Sequence, residues 1–130
     1  MKIKVKFFED DFIEAINGGV YEIYLKEGDN KEELLYIGES VFVLVRCATH
    51  LFEISKGIGY LGFDEKNIED DNVTLIFKLY KSENDKRKRK EIELKLIEQR
   101  GTALQSGLKD WVKPVDEMIE KVAELINRRV

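Results

Sequence analysis

The 130-residue chain is 43% hydrophobic and 37% charged, which is enough for one core and too little for two, so a single domain over 1–130 is expected. Its formal net charge of −4 excludes the strongly basic class of nucleic-acid domain, so any polyanion partner must be met by a local patch. The lone Cys47 excludes an internal disulfide, and the longest apolar run, 41–45, is far short of a membrane span or signal core, so a soluble cytoplasmic protein is expected.

In chain order, KIKVKFF at 2–8 alternates Lys with apolar residues, the pattern of a strand with one wet face. Residues 10–17 follow an acidic start with Phe12, Ile13 and Ile16 and stop at NGG, which predicts a short helix. VYEIYL at 20–25 and ELLYIG at 33–38 flank a charged turn and predict an antiparallel hairpin. The stretch 40–57 is ambiguous: its β-branched start favours a strand, whereas its unbroken length favours a helix capped by Ser40. VTLIFKLY at 73–80 predicts another strand. RKEIELKLIEQ at 89–99 alternates like a strand but consists largely of strong helix formers. From Pro114, the residues Val115, Met118, Ile119, Val122, Leu125 and Ile126 fall on one face of a helix over about 114–128, with Arg128 and Arg129 at its end. That face packs on the chain's own core or offers a homodimer surface.

Charge is sorted along the chain, with acidic runs at 9–11 and 64–71 and the basic run KRKRK at 86–90. Such runs usually form solvated surface. The polar residues of interest stand in order: Gly19-Val20-Tyr21, then Tyr36-Ile37-Gly38, then Arg46 eight positions on, His50 four later, and Glu93 opening ELKLI. This ordered set, spread over about 18–107, resembles the GIY-YIG nuclease family. Three departures are visible. The first motif reads GVY, the stretch 22–35 between the motifs is long, and Gln105 stands where the family usually has Asn.

The resemblance implies an α+β fold with a small central three-stranded antiparallel sheet flanked by helices, to which this chain adds an N-terminal strand and helix and a C-terminal amphipathic helix. It makes both ambiguous segments helical. On a helix, Arg46 and His50 share one face about 5–6 Å apart, whereas on a strand they would be separated by roughly 13 Å. It also implies a metal-dependent endonuclease that cuts or nicks DNA, duplex or branched, with RNA kept as a further substrate. Tyr21 would be general base or hold the attacking water, with His50 as helper or rival. Arg46 would brace the scissile phosphate, and Tyr36 would point its hydroxyl into the same cleft or else be a core ring with a polar tip. Glu93 would hold one Mg²⁺ or Mn²⁺ ion, with Glu91 and Glu98 as alternatives better read as exposed charge. Gly19 and Gly38 would permit close backbone approach, and Gln105 would lend an amide. Lys86, Arg87, Lys88, Arg89 and Lys90 would then track phosphates beside the site. The alternative expectation is a catalytically weak or inactive module of this fold that binds nucleic acid or a protein partner.

Overall fold

The computed structural model describes residues 1–100. Gln105 and the expected helix over 114–128 lie outside the described residues. In chain order the elements are β1 (Lys4–Phe7), β2 (Gly19–Glu27), β3 (Glu33–Ser40), α1 (Val43–Ser55), β4 (Ile58–Tyr60), β5 (Phe63–Asp64), β6 (Val73–Ser82) and α2 (Lys86–Arg100), with 3-10 turns at Glu14–Ile16 and Asn67–Glu69.

The main sheet has the order β1-β6-β2-β3, in which β2 pairs antiparallel with both β3 and β6 while β1 pairs parallel with β6. The fold is therefore α+β with a mixed four-stranded sheet, and the expected three-stranded antiparallel sheet is corrected by the recruitment of β1. Aromatic burial drives that recruitment. The β1 register places Phe7 opposite Phe77, and the Phe7 ring lies 5.1 Å from that of Phe77 and 4.8 Å from that of Phe8. Full burial of a ring, as at Phe8 and Phe77, contributes about 1.5–3 kcal/mol, and the partly buried Phe7 contributes less. Pairing also covers the β6 edge, which would otherwise stand open to other chains.

The short helix expected over 10–17 contracts to the 3-10 turn Glu14–Ile16, and the apolar residues that suggested it, Phe12, Ile13 and Ile16, are exposed while Ala15 is buried. The start of β2 at Gly19 leaves room for little more than one turn. Residues 56–72 also contain structure of their own, the β4–β5 hairpin. Its turn concentrates left-handed backbone: Gly59 at φ +103°, Leu61 at +52° and Gly62 at +84°. For Leu61, such a φ is strained and must be held by its surroundings.

Both ambiguous segments are helices. Buried positions Val43, Arg46, Cys47, His50 and Ile54 form one stripe of α1, the spacing of a single helix face. Ser40 does not cap this helix; its Oγ accepts the Phe42 N–H at 3.1 Å, turning the chain out of β3 two residues earlier. Asp85 does the capping at α2, accepting the Lys88 N–H at 3.0 Å, a bond that holds its carboxyl below the usual range. Successive residues of β2 point to opposite faces, so Tyr21 and Ile23 join the core with Val43 and Cys47 of α1, whereas Val20 packs with Ile37 of β3 and Leu96 of α2. Among the described residues, no helix is long and apolar enough to cross a membrane.

Candidate functional site

The two Tyr-Gly motifs meet because the hairpin register places Tyr21 directly opposite Gly38. A Cβ at Gly38 would overlap the Tyr21 hydroxyl and stand 2.9 Å from Cε1 of Tyr36, so only glycine leaves space for the phenol there. Register shifts on both sides, at Val20/Tyr21 against β6 and at Ile23/Tyr24 against β3, bend β2 around this residue, and such bulges re-aim side chains. Gly19 serves its neighbouring strand: a Cβ there would lie 2.6 Å from the Lys81 carbonyl oxygen.

The inward stripe of α1 then brings His50 onto Tyr21. The Tyr21 hydroxyl lies 2.7 Å from Nε2 of His50, and Nδ1 of the same ring lies 2.7 Å from the hydroxyl of Tyr60. Tyr36 completes the cluster, its ring 6.2 Å from that of Tyr21 and 5.2 Å from His50. Tyr21, His50 and Tyr60 are each 0% exposed, while Tyr36 is half-buried at the rim. Arg46, one turn before His50 on the same stripe, is 3% exposed.

Glu93 comes from the opposite side of the sheet, and it is held there by anchors on either side of it along α2. Four residues before it, Arg89 is buried and its Nε donates to Glu39 of β3 at 2.8 Å, while Nη1 donates to the Asn84 carbonyl at 2.8 Å. Seven residues after it, Arg100 pairs with the buried Glu22 carboxylate, donates to the Tyr24 hydroxyl at 3.0 Å and stacks over Tyr80. These two clamps add to the apolar seam that Leu96, Ile92 and Ile97 of the helix form with Val20 and Ile37.

Partial burial and then the charge of Glu39 push the Glu93 carboxyl up to about 7 from 4.5, against the opposing pull of Lys90, Arg46 and the Glu39 backbone N–H. A carboxyl so placed beside a second carboxylate holds its proton more tightly than an ordinary glutamate, and a divalent cation would have to displace that proton to bind there. Among the described residues no group of three or more His, Cys, Asp or Glu is gathered to hold a metal. Glu93 offers a single carboxylate, which would suit only an ion that takes its remaining positions from water and other ligands rather than one enclosed by protein.

The basic run divides. Lys86, Arg87 and Lys88 are exposed and Lys90 reaches Glu39 at 3.3 Å from the surface, but Arg89 is 2% exposed and committed to its ion pair. Arg89 therefore builds the site's frame instead of meeting solvent. Glu91 and Glu98 are exposed, in keeping with surface charge. Sequence reasoning missed Tyr60 and Glu39. The Gly-Tyr-Leu-Gly run at 59–62 was the available signal for the first, since a tyrosine among turn glycines is poorly suited to solvent. Comparison with known proteins gives no match: no family, curated protein or solved structure resembles the chain significantly.

Proposed function

We propose that this chain is a metal-dependent endonuclease that hydrolyses DNA phosphodiester bonds in the GIY-YIG manner. One observation carries the reading: the Tyr21 hydroxyl sits 2.7 Å from a histidine that shares its helix face with Arg46. A phenol with an ordinary pKa near 10 is a weak base at neutral pH, and a histidine within hydrogen-bond reach gives its proton somewhere to go. Tyr21, relieved of its proton, takes one from the attacking water. Arg46 offers its planar guanidinium to two phosphate oxygens at once. Tyr36, at the half-buried rim, directs the water or a phosphate oxygen. Glu93 would hold Mg²⁺ or Mn²⁺, which when bound supplies positive charge to the phosphate and the departing oxygen. The exposed Lys86, Arg87, Lys88 and Lys90 extend the phosphate-binding surface beside it. Duplex or branched DNA is the substrate class, with RNA the alternative, and the cytoplasm the compartment.

A second reading is favoured by one specific observation. Tyr21 and His50 are both 0% exposed, as expected of a core polar pair in a catalytically weak module that binds nucleic acid or protein. Metal binding separates the two. Titration with Mn²⁺ should show a site that disappears in Glu93→Ala if the chain is an enzyme. DNA binding that is tight, indifferent to chelator and unchanged in Glu93→Ala would instead establish the binding module.

A further inference from the structure

The hydrogen bonds at His50 are paired in a way that the nuclease roles do not use. A neutral imidazole carries one proton, so of its two ring nitrogens one donates and the other accepts. Both nitrogens are within 2.7 Å of a phenol, Tyr21 on one side and Tyr60 on the other. The state of one contact therefore fixes the state of the other. If Tyr60 accepts from Nδ1–H, Nε2 presents a lone pair to Tyr21; if Tyr60 donates to Nδ1, Nε2 carries the proton and Tyr21 has no base.

We infer that Tyr60 is a positioning residue for the proposed reaction: its hydroxyl accepts the His50 Nδ1–H and so holds Nε2 as the acceptor of the Tyr21 proton. The inference rests on the reading of Tyr21 as a base. In the step it supports, the Tyr21 Oη–H bond breaks as an Nε2–H bond forms. The resulting imidazolium keeps its Nδ1–H on Tyr60, and the phenolate is left to accept a proton from water. A hydrogen-bond partner on the far ring nitrogen commonly orients a histidine in this way.

Independent support comes from the backbone that presents Tyr60. It stands between Gly59 at φ +103° and Leu61 at φ +52°, in a turn that also uses Gly62 at +84°. Leu61 and Phe63 are 3% and 7% exposed, so the hairpin is seated by apolar packing within and just after the strained turn. Strain at a non-glycine residue persists only where the surroundings over-determine it. Here the result is a tyrosine turned from a surface hairpin into the core, its ring centroid 5.8 Å from that of His50.

His50 is the only histidine in the chain, so its ring gives an imidazole ¹⁵N spectrum free of overlap from other histidines. Long-range ¹H–¹⁵N spectra of the full chain at about pH 8, where an ordinary imidazole is neutral, identify the protonated nitrogen directly. The expected result is a protonated Nδ1 and a lone-pair Nε2 in the wild type, with Tyr60→Phe shifting the major form to Nε2–H while the fold is retained. A wild-type ring protonated at Nε2 overturns the inference without any variant, so a Tyr60→Phe chain that fails to fold does not shield it. An unchanged spectrum in a folded Tyr60→Phe chain overturns it equally. No cleavage enters the measurement, so a chain that gives the expected spectrum yet cuts nothing contradicts the nuclease reading alone.

Discussion

Gly38 and Glu93 tie stability to the proposed chemistry in opposite senses. Gly38→Ala would drive a methyl group into the Tyr21 hydroxyl and the Tyr36 ring. Overpacking of this kind costs about 1–3 kcal/mol, measurable as a lowered urea midpoint, and it should abolish activity even where the fold survives, because Tyr21 must leave His50 to make room. Glu93 makes the opposite bargain. Its carboxyl ionises near 7 in the fold against 4.5 as an ordinary glutamate, through burial first and Glu39 second. Between those values the fold keeps a proton that the unfolded chain has released, so stability falls as pH rises through that window and levels off above it. With solvent screening at a half-buried position the loss is on the order of 1–2 kcal/mol. Glu93→Gln keeps the shape and removes the charge. Without added divalent ion it should flatten the stability–pH profile and raise the urea midpoint at about pH 8, while destroying cleavage. A variant less stable than wild type there would mean that the Glu93 charge supports the fold.

At the scale of elements, α2 is held by ion pairs at both ends as well as by the apolar stripe of Ile92, Leu96 and Ile97. Arg89→Met breaks the pair with Glu39 and leaves that carboxylate with only the surface contact of Lys90. Breaking one partner of a buried pair costs about 3–5 kcal/mol, to be read from denaturant midpoints. The exposed neighbour Arg87→Ala should move stability by no more than about 0.5 kcal/mol. The same distinction explains what was legible in the sequence. The hairpin and β6 follow from local pattern, because period and propensity act within a few residues, whereas the β-branched start and unbroken length of 40–57 leave strand and helix open and only the resemblance makes α1 helical. The partner of β1 does not follow from local pattern: alternating Lys and apolar residues specify a strand but not that Phe7 will meet Phe77, seventy positions away. Nor does Arg89 stand out from its neighbours in KRKRK, since only the fold places Glu39 beneath it. The 3-10 turn was overread because Phe12, Ile13 and Ile16 have helical spacing, yet β2 begins too soon for a helix to form.

Across the whole molecule, a net charge of −4 leaves attraction to a polyanion to one local surface. Replacing Lys86, Arg87 and Lys88 together with Ala should reduce the slope of DNA affinity against salt by up to about 3, with little change in melting temperature because all three are exposed. An unchanged slope would place the phosphate contacts elsewhere. Of the candidate site, Tyr21, Tyr36, Arg46, His50 and Glu93 were legible as an ordered set; the fold brings Tyr21, Tyr36 and His50 together beside the β2–β3 hairpin with Arg46 one turn away on α1, whereas Glu93 comes from the other side of the sheet, bonded to the Glu39 backbone N–H and within the field of Arg46. Tyr60 and Glu39 were not, because a hydrogen-bond partner is chosen by tertiary approach and leaves no spacing in the sequence. The central claim is that this gathering hydrolyses phosphodiesters. Its most direct test is incubation of the purified chain with supercoiled, branched and single-stranded DNA and with RNA, in Mg²⁺ or Mn²⁺, beside Tyr21→Phe and Glu93→Gln. The account predicts metal-dependent cutting or nicking of at least one form by the wild type and none by either variant. Absence of cleavage on every substrate, or cleavage by both variants at the wild-type rate, would contradict it.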